Sequence, residues 1–240
     1  MVFMKKSFNV RVLVTCAVMS ALGVVLAFFI HFPIIPAVPF LEYDPADILI
    51  FVSTYAFGIP VGLAMTVVVA VVQGITVSAG SGFTGILMHI ISTGGYVLAA
   101  GLIYKLTEAF KRGKAHKTGA EAARLVLSTI AGIGVTVGLM TLWNIWLTPI
   151  FMGIDRKLLI ENYLILIVIF NLIKISINGV TSAVLAIPFR KLAELFPGEK
   201  KLIDRASGKE RKDVDTVLGL MILLAVLLIV GIIVFAVFRT

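Results

Sequence analysis

Lys174 stands inside an uncharged, apolar run over positions 162–188, with Asn171 three residues before it and Asn178 four residues after it. Those offsets put the three side chains on one face of a helix. An ammonium group at membrane depth is costly unless it faces a polar cavity or a partner, so Lys174 marks a candidate binding site. The alternative is a lysine that snorkels to the membrane interface. At about 1.5 Å of rise per residue, however, position 174 lies far from either end of the run.

The rest of the chain supplies the elements that must hold this residue. Hydrophobic residues make up 60% of the 240 positions and charged residues 14%, with a mean hydropathy of +1.08. A crossing of the hydrocarbon core takes about 20 residues, so the composition describes a polytopic, all-α membrane protein. Apolar segments bounded by charge, Gly or Pro run over 10–30, 46–58, 60–79, 84–106, 122–147, 160–188 and 216–238. Gly58 and Pro60 make the turn between the second and the third. Lys5, Lys6 and Arg11 ahead of the first segment imitate a secretory signal. The apolar run is long for one and no small-x-small cleavage site closes it, so it reads as a retained helix. Cys16 is the single cysteine and cannot form an internal disulfide.

The net charge of +8 does not point to nucleic acid, because the basic residues collect in loops beside the spans. Of the 21 Lys and Arg residues, all but Arg156, Lys157, Arg239 and Lys174 fall in one set of alternate loops. By the positive-inside rule that set is cytoplasmic, which predicts a cytoplasmic N-terminus and outward-facing loops over 31–45, 79–83 and 148–159. The first of these reads His-Phe-Pro-Ile-Ile-Pro-Ala-Val-Pro-Phe-Leu-Glu-Tyr-Asp-Pro. Its prolines forbid a continuing helix and keep the backbone extended. So apolar a loop is predicted to pack on the outer mouth of the bundle, the alternative being a stiff connector. The organisation is then a membrane domain over 1–192, a charged cytoplasmic linker over 193–215 and an additional transmembrane helix within 216–240. That last helix carries no polar group at depth and reads as an anchor packed on lipid or on a neighbour. No internal repeat stands out, which weakens the case for an inverted-repeat transporter.

With that orientation, helical rise places the polar residues of the spans in the outer half of the bilayer. Gln73 and His89 lie within about two turns of the outer ends of the third and fourth segments. Asn144 sits on the last outer turn of the fifth, beside Trp143 and Trp146. Asn171 lies roughly 12 to 16 Å below the outer end of the sixth, and Lys174 about 5 Å deeper. Together these residues would line a pocket entered from outside and covered by the first loop. For a lone Gln or His in a span, a bond to a neighbouring helix is the commoner role, so Gln73 and His89 are secondary candidates.

Asn144, Asn171 and Lys174 offer amide donors and acceptors plus a cation, and no carboxylate is expected in any span beside them. The lack of an acid argues against a proton relay. An imide-bearing planar heterocycle fits, since amides pair with alternating carbonyl and N–H groups while the ammonium faces a carbonyl oxygen. Phe40, Tyr43 or Trp143 could supply ring stacking. Three scattered His and one Cys give no metal-ligand spacing, and no cofactor is implied. No Gly-x-x-x-x-Gly-Lys-Ser/Thr loop is present, so the chain cannot energise uptake with ATP alone. The absence of Gly-x-Ser-x-Gly and His-Glu-x-x-His speaks against an intramembrane hydrolase.

Several stretches carry a family resemblance. Phe-Asn-Leu-Ile-Lys over 170–174 is the most specific of them. Beside it stand the Pro-rich loop ending Phe-Leu-Glu-Tyr-Asp-Pro-Ala-Asp and the Trp-Asn near the end of the fifth segment. Over about residues 8–192 the chain resembles the riboflavin-binding S components of energy-coupling factor (ECF) transporters. The resemblance implies a six-helix S-component bundle, here with one additional C-terminal transmembrane helix that the usual chain lacks. It implies a non-enzymatic subunit of a prokaryotic cell membrane that captures riboflavin, or its phosphorylated form FMN, from outside. Its partners would be a transmembrane coupling subunit and two ATPases, with the lipid bilayer around it. Asn144, Asn171 and Lys174 would contact the isoalloxazine ring, and Phe40, Leu41 and Tyr43 would close over it. Ala17 and Ala21 match a small-residue pattern that meets the coupling subunit, although similar pairs such as Gly134 and Gly138 recur in the chain. The same architecture serving thiamin, biotin or folate is the nearest rival. A stand-alone secondary transporter using Lys174 and His89 is another.

Overall fold

A computed structural model describes residues 10–109 and 118–194. The charged linker beyond position 194 and the apolar segment 216–238 lie outside the described residues. Within them the chain forms α1 (Val10–Phe29), α2 (Ala46–Phe57), α3 (Ile59–Ile75), α4 (Gly82–Ala109), α5 (Thr118–Met152), α6 (Arg156–Asn162) and α7 (Leu164–Glu194). Four of them, α1, α4, α5 and α7, are long and apolar enough to cross a membrane, whereas α2 and α3 are shorter apolar helices. Large apolar side chains such as Phe83, Leu142 and Val184 stay exposed on the outside of this bundle, a surface suited to acyl chains.

The described elements depart from the expected bounds: α4 and α5 overrun theirs at both ends, and three further differences concern the site. The segment expected over 160–188 is split at Tyr163 into the short α6 and the long α7, so part of the expected outer loop over 148–159 is helical. The capping carboxylate of Asp155, which accepts from the Lys157 amide, starts α6. The third segment ends at Ile75 rather than 79, and a 3-10 turn (Ala79–Ser81) leads into α4. The first outer loop is not wholly irregular: β1 (Phe32–Pro33) pairs antiparallel with β2 (Glu42–Tyr43), so its two ends are tied into a small ribbon.

The joint between α2 and α3 is as the sequence suggested. Gly58 takes φ 93°, a value that L side chains rarely adopt, and Pro60 occupies the first turn of α3 where its missing N–H costs nothing. The chain therefore turns back at once, and α3 lies against α2 so closely that a Cβ on Gly62 would overlap Thr54 Oγ1 and come within 2.9 Å of Val97.

Helix α2 is the centre of the bundle, with all but two of its residues buried. Phe51 stacks on Tyr96 of α4 at 3.7 Å between ring centroids, and Ile50, Val69 and Val97 fill the layer around them. Further along α4 and α5, Tyr104 is the hub. Arg124 lies 4.2 Å above its ring and donates to its carbonyl oxygen at 2.8 Å and to Glu121 at 2.7 Å, while the Tyr104 hydroxyl donates to the same Glu121 carboxylate. A buried guanidinium is thereby satisfied on three sides.

The tight α2–α3 contact generates a prediction. Gly62→Leu should destabilise the detergent-purified protein by about 1 to 3 kcal/mol through overpacking, read as a lowered melting temperature. Gly138→Ala, where nothing lies within 4 Å of the added carbon, should leave it within about 0.5 kcal/mol of the parent.

Candidate functional site

The polar residues of the spans meet at one end of the bundle. A cavity of about 150 Å³ opens there between the first loop and α3, α4, α5 and α7. Helical periodicity selects its wall: Met140, Asn144, Thr148 and Phe151 recur every three or four residues along α5, and Phe170, Asn171 and Lys174 form one face of α7. From α3 comes Gln73, from α4 Met88, His89 and Thr93, from α2 Asp47, and from the loop Phe40, Leu41 and Asp44. The wall thus combines polar groups with apolar side chains such as Phe40, Leu41, Met140 and Phe170, the usual character of a small-molecule site.

Lys174 does not stand alone in the floor. Its ammonium donates to Asp44 Oδ2 at 2.9 Å. The other carboxylate oxygen of Asp44 accepts from the Ala46 amide at 3.2 Å and from Gln73 Nε2 at 3.4 Å. Asp44 therefore closes the first turn of α2, where a negative charge is favoured by the helix dipole. Burial alone would raise its pKa. The Lys174 ammonium, His89 and the donated hydrogen bonds outweigh that and hold its carboxyl below the usual carboxylate range. The stability this supplies is present above the ordinary carboxylate pKa and is lost only as pH falls through the lowered one.

A second pair lies beside the first. Asp47, in the first turn of α2, meets His89 Nε2 at 3.0 Å and accepts from Thr93 Oγ1 at 2.7 Å. The expectation of no carboxylate in any span is thus corrected. Asp47 sits inside α2 at 1% exposure, and Asp44 reaches the same depth because the loop that carries it folds inward. Asp44 matches the Lys174 ammonium, since burying that charge unpaired would cost several kcal/mol or more, and Asp47 is engaged by the His89 ring and the Thr93 hydroxyl.

The two asparagines are anchored locally. Asn144 Nδ2 donates to the Met140 carbonyl at 2.7 Å, and its oxygen accepts from Thr148 Oγ1 at 2.7 Å. Asn171 Nδ2 donates to the Ile167 carbonyl at 2.8 Å. Each carboxamide keeps one N–H for a guest, and Lys174 keeps two of its three.

The structure brings seven of the eight candidate ligand residues, Phe40, Leu41, Gln73, His89, Asn144, Asn171 and Lys174, onto this single cavity. Tyr43 is the exception. It is not on the wall, because its ring lies against Phe32 at 5.6 Å and its hydroxyl is drawn to Asn178 of α7, to which it donates at 2.9 Å. Burial, and then the Asp44 carboxylate, push its hydroxyl above the ordinary tyrosine range, so it remains a donor. Trp143 is likewise off the wall, and Trp146 is half exposed beneath Arg156, whose guanidinium lies 4.2 Å from its ring centroid. Ala17 and Ala21 are exposed on the outer side of α1, away from the cavity.

Asp44, Asp47, Thr93 and Thr148 are the residues that sequence reasoning missed. A signal for the acids was present: Asp44-Pro45-Ala46-Asp47 has the form of a helix start ahead of an apolar run, and a buried ammonium calls for an acid.

The family described as "ECF transporter, substrate-specific component" matches residues 11–189. A solved structure described as "Structure and mechanism of the S component of a bacterial ECF transporter" superposes with a TM-score of 0.54. It is 22% identical, and the match covers 77% of this chain and 96% of that one. No curated protein matches the chain. The likeness to the solved structure establishes a shared fold, and the family match extends over every element that builds the cavity. The chain therefore belongs to the substrate-specific components of ECF transporters.

Proposed function

We propose that this subunit captures riboflavin in the cavity beneath the first loop, from the outer side of the membrane, and hands it on for uptake driven by the other subunits of an ECF transporter. As a substrate-specific component it is a transport subunit and not an enzyme, working with a transmembrane coupling subunit and ATPase subunits.

The single observation that carries the riboflavin reading is the convergence of Asn144, Asn171 and Lys174 on one cavity with Phe40 and Leu41. Two carboxamides and an ammonium offer N–H donors and a carboxamide acceptor to an imide ring edge, and apolar groups offer contact to its faces. The charge pairing of the floor supports the same reading. Asp44 is matched by Lys174, and Asp47 is engaged by His89 and Thr93, so both acids of the floor already have partners and the carboxamide N–H groups are left for an uncharged, carbonyl-rich ring. FMN carries the same ring and is a natural second probe.

One observation favours a rival. Three carboxylates, Glu42, Asp44 and Asp47, line the cavity, and a cationic heterocycle such as thiamin would draw on them. Detergent-purified protein separates the readings. A yellow preparation that quenches flavin fluorescence on titration supports riboflavin. Thiamin binding without flavin quenching, weakened by Asp47→Asn, supports the rival.

For the flavin reading, Asn171→Ala should weaken binding by about 1 to 3 kcal/mol, the cost of leaving a buried ligand group unpaired. Equal titration curves for parent and variant would remove Asn171 from the site. Lys174→Ala should do more, because it also strands Asp44. Losing one partner of a buried pair costs about 3 to 5 kcal/mol, so the melting temperature should fall with the affinity. The double variant Asp44→Asn/Lys174→Met should recover much of the thermal stability and none of the binding.

Ala17 and Ala21, exposed on α1, are proposed to face the coupling subunit. Leu at both positions should spare flavin binding by the isolated subunit and abolish uptake by vesicles that hold the assembled complex. Loss of binding in the isolated double variant would instead assign this face of α1 to the pocket's support.

A further inference from the structure

Asn178 lies on α7 one helical turn from Lys174, fully buried and off the cavity wall. Its carboxamide is used at both ends by consecutive residues of the first loop. The oxygen accepts from the Tyr43 hydroxyl at 2.9 Å, and Nδ2 donates to the Asp44 carbonyl at 3.1 Å. These contacts join positions more than 130 residues apart in sequence, and together with the Lys174–Asp44 pair they tie the loop to α7. The part of the loop that carries Phe40 and Leu41 to the cavity is held differently. There the Val38 and Leu41 amides donate to the Ile35 and Val38 carbonyls, within the loop itself.

We infer that Asn178 is a positioning residue that clasps the first loop through Tyr43 and Asp44, and so sets how long cargo stays in the cavity without touching it. The inference rests on the proposed substrate site. A carboxamide suits the task because it is at once donor and acceptor: Asp would lose the bond to the Asp44 carbonyl and add a charge beside an acid, and Leu would lose both bonds. The clasp also fixes the backbone of Asp44, and with it the carboxylate that receives Lys174. Cargo that leaves past Phe40 and Leu41 needs the loop to lift, and lifting it as far as Tyr43 and Asp44 breaks both bonds to Asn178. Entry into an already open site does not, so the clasp acts on release more than on capture.

The test uses the purified full chain with Asn178→Ala, Tyr43→Phe and the pair combined. Amide hydrogen exchange over residues 35–45 should quicken by roughly tenfold in Asn178→Ala, the order expected for losing a buried hydrogen bond, with α4 and α5 unchanged. Stopped-flow flavin fluorescence should show release faster by a similar factor and association within about twofold. Tyr43→Phe should give a smaller change of the same kind, and the combined variant should match Asn178→Ala, since the Tyr43 bond ends on Asn178. A merely structural role would lower the melting temperature without a selective change in loop exchange or in release. Unchanged loop exchange overturns the clasp, and quickened exchange with unaltered release overturns its hold on cargo. If Asn178→Ala does not fold, Tyr43→Phe decides by the same two readouts. If the parent quenches neither riboflavin nor FMN, the substrate reading falls, and loop exchange alone still decides whether the clasp exists.

Discussion

The 2.9 Å contact between the Lys174 ammonium and Asp44 is the interaction on which the site depends. A cation that deep among apolar helices has to be matched, and its match arrives on a loop rather than on a neighbouring helix. That choice has structural consequences in every direction. The loop descends into the bundle, and α2 begins two residues after Asp44, at Ala46. Gln73 and the Ala46 amide complete the hydrogen bonding of the carboxylate, so α3, α2, α7 and the loop converge on one side chain.

The second pair, Asp47 with His89, repeats the logic at shorter range and binds α2 to α4. The two pairs differ in what they can do. Asp47 is used by His89 and Thr93 and is almost wholly enclosed, which makes it a strut. Lys174 keeps free N–H groups at the cavity, which makes it both strut and contact. Binding and local stability are therefore expected to be linked at position 174, whereas Asn171, bonded through one N–H to its own helix, can be changed with less collateral effect.

Much of this fold can be read along the chain because a bilayer leaves few options. Apolar runs cut by the prolines of the first loop, by Gly58-Ile59-Pro60 and by charged stretches delimit the helices, and the outcome follows them closely. The break at Tyr163 could not be read this way, since 160–188 holds no Gly or Pro ahead of Gly179, and the start of α7 is decided by packing. At the cavity, Lys174, Asn171 and Asn144 are conspicuous because polar groups are rare in such helices. Their partners are not conspicuous. Asp44 is 130 residues from Lys174 and sits in a loop, where an acid attracts no notice. Tyr43, an aromatic beside the candidate mouth, reads as a stacking ring. Only the three-dimensional proximity of Asn178 shows why its hydroxyl turns inward.

The brevity of α2 bears on the membrane itself. Twelve residues at about 1.5 Å each cover some 18 Å, little more than half of a hydrocarbon layer about 30 Å thick. The missing half of that crossing is supplied by a proline-rich strap and not by a rod. The boundary between high and low dielectric is thus drawn, over this patch, by a loop held through side-chain bonds to α7 and α3. Four ionisable groups, Asp44, Asp47, His89 and Lys174, owe their shielding from water on this side to side-chain bonds rather than to a continuous helical ladder.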